Sequence, residues 1–174
     1  MAYDGERAAK ALLAWMQSDL ASTLDAVEVL WADTDPVTLP DPVTWHQGHK
    51  PTVVELASTA FPFVCVIGLR RDPKEEKGQR AEWGYQERSI VLMIEYFVVA
   101  EDEETVDKIA NRYAEAMVAL LQTGRIVATF QQDNWEPTVQ FSETMRHPKS
   151  TEADMMNEAD EDFLKGGRVE VALS

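Results

Sequence analysis

The chain has 174 residues, 45% of them hydrophobic, including five Trp, six Phe and four Tyr, and a formal net charge of −15. That length fits a single domain over residues 1–174, and the apolar content is too high for a disordered chain. The charge disfavours non-specific binding to nucleic acid or to an anionic membrane, both of which need local positive charge. It leaves open contact with DNA that must slide past without sticking.

Cys65 is the only cysteine, so neither an intrachain disulfide nor a multi-cysteine metal site is possible. Inside the apolar run FPFVCVIGL it reads as a buried, inert thiol. The start MAYDGERAAK has no basic stretch leading into an apolar segment. No window approaches the ~20 apolar residues of a membrane span. The expectation is synthesis in the cytoplasm and no membrane partner.

From Asp4 to about Trp31, Ala9, Leu12, Leu13, Met16, Leu20, Leu24, Val27 and Trp31 recur at intervals of three or four, which predicts a helix with one apolar stripe. Asp4 suits its start, and Asp33 with Pro36 marks its exit. Residues 32–60 hold Pro36, Pro40, Pro42 and Pro51 and read as a surface crossing, with short extended or helical pieces near PVTW and TVVELAS. The core sheet is expected to begin at Phe61 with FPFVCVIGLRR, Pro62 taking one of the first positions. Segment 70–87, RRDPKEEKGQRAEWGYQE, mixes both charges with Pro and Gly and reads as a long, exposed polar hairpin loop.

RSIVLMIEYFVVA (88–100) is the strongest strand signal. Ile90, Leu92, Ile94, Tyr96 and Val98 face one way, and Val91, Met93, Glu95, Phe97 and Val99 the other. A second helix follows over 101–124, with an acidic first turn, an inward stripe of Val106, Ile109, Ala110, Tyr113, Met117, Leu120 and Leu121, and Gly124 as its stop. RIVATFQQ alternates, DNWEP reads as a turn, and TVQFSETMRH alternates again. After a polar, acidic connection (149–162), Gly166-Gly167 reads as a turn signal before RVEVALS. There Val169, Val171 and Leu173 face one side, Glu170 and Ala172 the other.

The order helix, strand, strand, helix and three strands predicts an α+β fold: a mainly antiparallel sheet with two helices packed on one face. No helix remains for the opposite face. The second side of 88–100 is therefore expected to need a cover from outside the chain, around Met93, Phe97 and Val99.

Chemical motifs are sparse. There is no phosphate-binding Gly-rich loop, dinucleotide fingerprint or nucleophile elbow. His46 and His49 lie three apart, with Asp41 nearby and His147 distant, but in a Pro- and Gly-rich stretch they read as solvent-facing loop residues. EDEE (101–104) reads as helix-start electrostatics, and neither acidic run has calcium-loop spacing. Ser22, Ser58 and Ser142 lack a recognisable base. No catalytic, cofactor-binding or metal residue is predicted, and the chain does not read as an enzyme. Trp31 reads as core. Trp83 and Trp135, in polar connections, are candidate interface anchors.

The succession of an N-terminal helix, a long crossing, FPFVCVIGLRR, a polar hairpin loop, RSIVLMIEYFVVAEDEETVDKIANRYAEAMVALL and a closing DFLKGGRVEVAL resembles the tail terminator and related neck proteins of tailed bacteriophages. The resemblance is one of order, length and texture. It implies a ring, commonly hexameric, at the head-proximal end of the tail tube, which stops tube polymerisation, joins tail to head and lets DNA through an often acidic channel. The implied partners are further copies of the chain, a tail-tube protein and a head-completion or connector protein. Genomic DNA would pass without specific binding. The implied location is the virion neck, reached from the host cytoplasm during assembly.

Carried onto this chain, segment 70–87 is similar to the family's extended loop. Arg70, Arg71, Lys74, Lys77, Arg80, Trp83 and Tyr85 are its candidate contacts, beside Met93, Phe97, Val99 and Trp135. Glu101, Asp102, Glu103, Glu104, Glu152, Asp154, Glu158 and Asp160 are the candidate channel-facing carboxylates. The 32–60 crossing is longer and richer in Pro than in the simplest members, which leaves open a head-closure or other neck role. A small enzyme or ligand-binding domain is the alternative from another class. The terminal strand is expected to complete the sheet near an intersubunit boundary.

Overall fold

Two helical stripes and a set of alternating segments each leave an apolar face to be buried, and the chain buries them against one another. The computed structural model describes residues 4–48, 56–70, 90–123, 137–145 and 162–173. Helix α1 spans Asp4–Trp31 and α2 Glu103–Gln122; the strands are β1 Thr44–Gln47, β2 Phe63–Arg70, β3 Ile90–Ala100, β4 Pro137–Met145 and β5 Phe163–Leu173. The sheet order is β1-β2-β3-β5-β4. β1 runs parallel to β2, and every other neighbouring pair is antiparallel. The fold is α+β, its sheet mixed but dominated by antiparallel pairs. The predicted segment 125–132 lies outside the described residues.

Both helices share one core with one face of the sheet. Leu12, Met16, Leu20 and Leu24 of α1 and Val106, Tyr113 and Met117 of α2 meet Val64, Val66, Leu92, Ile94, Tyr96, Val169, Val171 and Leu173. Trp15, outside the predicted α1 stripe, is buried as well. Gly5 at the start of α1 lies so close to β2 that a Cβ at Gly68 would stand 2.6 Å from the Gly5 carbonyl oxygen. At its other end α1 meets the first half of α2, so the helices run antiparallel to one another.

The sheet starts earlier than Phe61. Within the Pro-rich crossing, Thr44–Gln47 is free of Pro and pairs with Phe63–Val66. The Pro62 carbonyl accepts from both Val43 N and Thr44 N. Leu39, in the same crossing, is buried in the main core.

β5 is not an edge strand. It is paired along its length with β3 and on its other side with β4. Gly166 and Gly167, read as a turn, lie inside it opposite Phe97 and Tyr96. A Cβ at Gly167 would fall inside the Tyr96 phenol, and one at Gly166 would stand 2.8 Å from the Phe97 ring. The two glycines leave room for two aromatic rings on opposite faces of the sheet.

The opposite face also departs from expectation, because the chain buries much of it. Phe61, Phe63, Cys65, Phe97 and Leu164 form a second apolar cluster, with Leu56, Ala60, Ile67 and Val99 packed against it. The crossing residues before β2, including the 3₁₀ turn Ser58–Ala60, thus fold over one end of this face. Val91, Glu95 and Ala172 on the same face are buried too.

Candidate functional site

Among the described residues, no three His, Cys, Asp or Glu side chains gather where they could hold a metal ion. His46 is not a loop residue; it sits half-buried in β1, its ring 6.3 Å from that of Phe63. Asp41 is exposed, and His49 and His147 lie outside the described residues. Ser22 Oγ donates to the Asp19 carbonyl, and Ser58 Oγ donates to the Asp162 carboxylate. Cys65 is fully buried in the second cluster.

The organised chemistry is electrostatic, at the end of the sheet where β3 passes into α2. Asp102 caps α2, its carboxylate accepting from Thr105 N at 2.8 Å. That bond holds its pKa below the ordinary carboxylate value. Glu101, Glu103 and Glu104 are exposed around it. Asp35, on the turn leaving α1, binds two cations from α2: Lys108 Nζ at 3.1 Å and Arg112 Nη2 at 3.1 Å. Arg112 Nη2 also donates to the Asp35 carbonyl at 2.6 Å, and its guanidinium lies 5.0 Å from the Trp31 ring centroid.

Lys108 also reaches Glu104 at 2.7 Å. The hydrogen bonds it donates to Glu104 and then to Asp35 hold its pKa above the ordinary lysine value. Trp31 Nε1 donates to Glu115 at 3.0 Å. Beneath these residues, buried Lys165 of β5 pairs with Asp107. Every described Lys or Arg at this end is therefore held by a carboxylate of the same chain. Asp25, Asp33, Asp41, Glu101 and Glu103 remain exposed there.

The network was missed because charge in sequence reads as solvent-facing. One signal was available: Arg112 lies three residues after Ile109 and four before Ala116, on the buried side of α2. Its partner Asp35 is 77 residues away and gives no local sign.

The predicted contact residues separate into groups. Arg70 ends β2 directly opposite Ile90 of β3, and segment 71–89 between them lies outside the described residues. Arg71, Lys74, Lys77, Arg80, Trp83, Tyr85 and Trp135 lie outside the described residues, as do Glu152, Asp154, Glu158 and Asp160. Met93, Phe97 and Val99 share a face of β3 as expected, but they do not form an exposed apolar patch. Phe97 is buried between Phe63 and Leu164, Val99 packs on the same cluster, and Met93 is half-buried with Arg168 Nη1 3.9 Å from its sulfur. Compared with known proteins, the chain matches no protein-family model and no curated sequence.

Proposed function

We propose that this chain is a structural assembly protein, a tail-terminator-like subunit. It forms a ring at the head-proximal end of a tail tube, stops tube growth and joins tail to head. The observation that carries the reading is the separation of the molecule's two ends. At one end Arg70 of β2 stands opposite Ile90 of β3, and the sequence that joins them, 71–89, carries five Lys or Arg and five Asp or Glu. At the other end the cations are held internally and the carboxylates of 101–104 face solvent. β3 is 11 residues long, so these ends stand roughly 35 Å apart at ~3.3 Å per residue. A subunit with unlike ends favours head-to-tail contacts, which close into rings when the rotation allows.

In this reading the exposed carboxylates line the passage, and repulsion of phosphates keeps DNA from stalling. The tail tube and the head-side connector meet the ring's two rims. With −15 per chain, like-charge repulsion opposes assembly, so moderate salt should favour the ring, charges beyond ~8 Å being largely screened at physiological ionic strength.

Mass measurement across protein and salt concentration, followed by imaging, tests the reading. A closed ring that caps purified tail tubes is the expected result. A strict monomer under all conditions, absent from the neck of purified particles, would reject it and favour the enzyme or ligand-binding alternative.

A further inference from the structure

Between the turn that ends α1 and the first pairing of β1, residues 36–42 cross α2 without a ladder of their own. On one side the Trp31 carbonyl accepts from Thr34 N and Asp35 N, and on the other the Pro62 carbonyl accepts from Val43 N. In between, Pro36, Pro40 and Pro42 have no N–H to give, and no backbone-to-backbone hydrogen bond involves 36–42 among the described residues. Side chains hold the stretch instead. Glu28 accepts from Leu39 N, Tyr113 Oη donates to the Pro40 carbonyl, and Arg112 Nη2 donates to both the carbonyl and the carboxylate of Asp35. One apolar anchor, Leu39, is buried, whereas Pro36, Thr38, Pro40 and Asp41 are exposed.

Arg112 sets a cost on this closure. Its side chain is 5% exposed, against 39% for that of Asp35. Its other terminal nitrogen, Nη1, is buried with no hydrogen-bond partner among the described residues. Closing the crossing over α2 thus withdraws a guanidinium from water and returns only part of its hydrogen bonds. Opening would rehydrate it, and would give up one leucine side chain and a few side-chain hydrogen bonds rather than any part of the sheet. A segment with so few attachments opens at lower free energy than the core.

We propose that residues 35–42 are a strap that opens as a unit while the helices and sheet stay folded, with the Asp35 carboxylate as its latch. Closed, the Arg112 charge is matched internally by Asp35. Open, the guanidinium is presented beside the slot left by Leu39 and the Tyr113 hydroxyl. The strap thereby switches the local charge at an end where Glu101, Glu103 and Glu104 are exposed. The proposal does not depend on ring formation.

Amide exchange read by NMR on the full chain, at urea concentrations below the unfolding transition, tests this. Leu39 N–H is the one amide of 36–42 with a hydrogen-bond partner among the described residues, so its protection reports the closed strap. The amides of Leu92 and Ile94, in a strand paired on both sides, report global unfolding. In the unaltered chain Leu39 should exchange more than about a hundredfold faster than they do, at a rate nearly flat in urea, while theirs rises steeply. Asp35→Asn, which leaves Arg112 buried without a counter-charge, should speed Leu39 exchange about tenfold or more. Adding Arg112→Met should restore the protection, since no charge is then buried. A Leu39 amide with the exchange rate and urea slope of Leu92 would overturn the strap, and that measurement needs no variant. Unchanged Leu39 exchange in Asp35→Asn, or no recovery in the double variant, would overturn the latch.

Discussion

The two faces of the sheet solve the same problem in different ways. On the helix side, long regular elements bury fully apolar rows such as Ile90, Leu92, Ile94, Tyr96 and Val98. On the other side a short crossing segment covers Phe63, Cys65 and Phe97 at one end, and the middle of the face mixes Met93 and Glu95 with Arg168 and Glu170, which stand opposite them in register. A strand that is apolar on both faces therefore need not imply an external partner. Irregular chain can supply the second cover, and irregular chain is what hydrophobic periodicity cannot detect.

The largest effect should come from removing the strand that serves both faces. Deleting residues 168–173 takes away Val169, Val171 and Leu173, all fully buried, each worth about 1.5–3 kcal/mol. It also takes away most of the β4 ladder. Against a typical total of about 5–15 kcal/mol, the product should be insoluble or unfolded by circular dichroism. A truncated chain melting like the parent would contradict the interior placement of β5.

Single truncations on β3 should separate the faces. Leu92→Ala, in the helix-side core, should cost about 2–5 kcal/mol in denaturant unfolding. Met93→Ala, next along the strand but half-buried among polar groups, should cost under about 1 kcal/mol. Equal costs would mean that the second face is packed as tightly as the first.

The paired glycines sharpen the contrast. Gly167→Ala forces a methyl into the Tyr96 ring and should cost about 1–3 kcal/mol or more. Gly166→Ala presses on Phe97 at 2.8 Å, within a smaller cluster whose edge can yield, and should lower the melting temperature less. The reverse order would show that the second cluster is the more rigid.

Titration offers a further probe of the helix side. Burial pushes the Tyr96 and Tyr113 phenols well above their ordinary pKa. Tyr96 Oη donates to the Ala110 carbonyl at 2.7 Å, Tyr113 Oη donates to the Pro40 carbonyl, and the rings stack. A folded pKa above the unfolded value gives stability that is present in full below about pH 10 and lost as pH rises beyond it. Each tyrosine should contribute a slope of about 1.4 kcal/mol per pH unit there. Tyr96→Phe should remove one such slope in alkaline unfolding curves, and an unchanged slope would place the phenol in contact with solvent.

The smallest effect concerns Asp102, whose folded pKa is depressed by the Thr105 N–H. Its contribution is present above the unfolded carboxylate value and lost as pH falls through the folded one. Asp102→Asn keeps a capping oxygen and should flatten the acid limb of stability slightly, whereas Asp102→Ala should lower it at all pH values.

What could be read in advance was what repeats. The stripes of α1 and α2, the two-faced β3 and the alternation Val169, Val171, Leu173 each span enough residues for their period to stand out. What escaped depended on distant partners. Two adjacent glycines look like a turn until the rings of Tyr96 and Phe97, about seventy residues earlier, are laid across them. Four residues of β1 carry too short a pattern to survive among prolines. Of the proposed site, the acidity of 101–104 at the start of α2 was legible, but the capping role of Asp102 was not. Nor was the internal pairing of Lys108, Arg112 and Lys165 with carboxylates of the same chain.

The central position of β5 also bears on how the protein is made. β3 gains one neighbour, β2, early, but its other side stays open until residues 163–173 have been synthesised. At roughly 5–20 residues per second, a ribosome carries the apolar, half-paired β3 for several seconds before its partner emerges. An unpaired apolar strand edge invites association with other chains. Soluble yield should therefore respond to translation speed over residues 101–162, and to any holdase that shields the nascent sheet, more than to the stability of the finished fold.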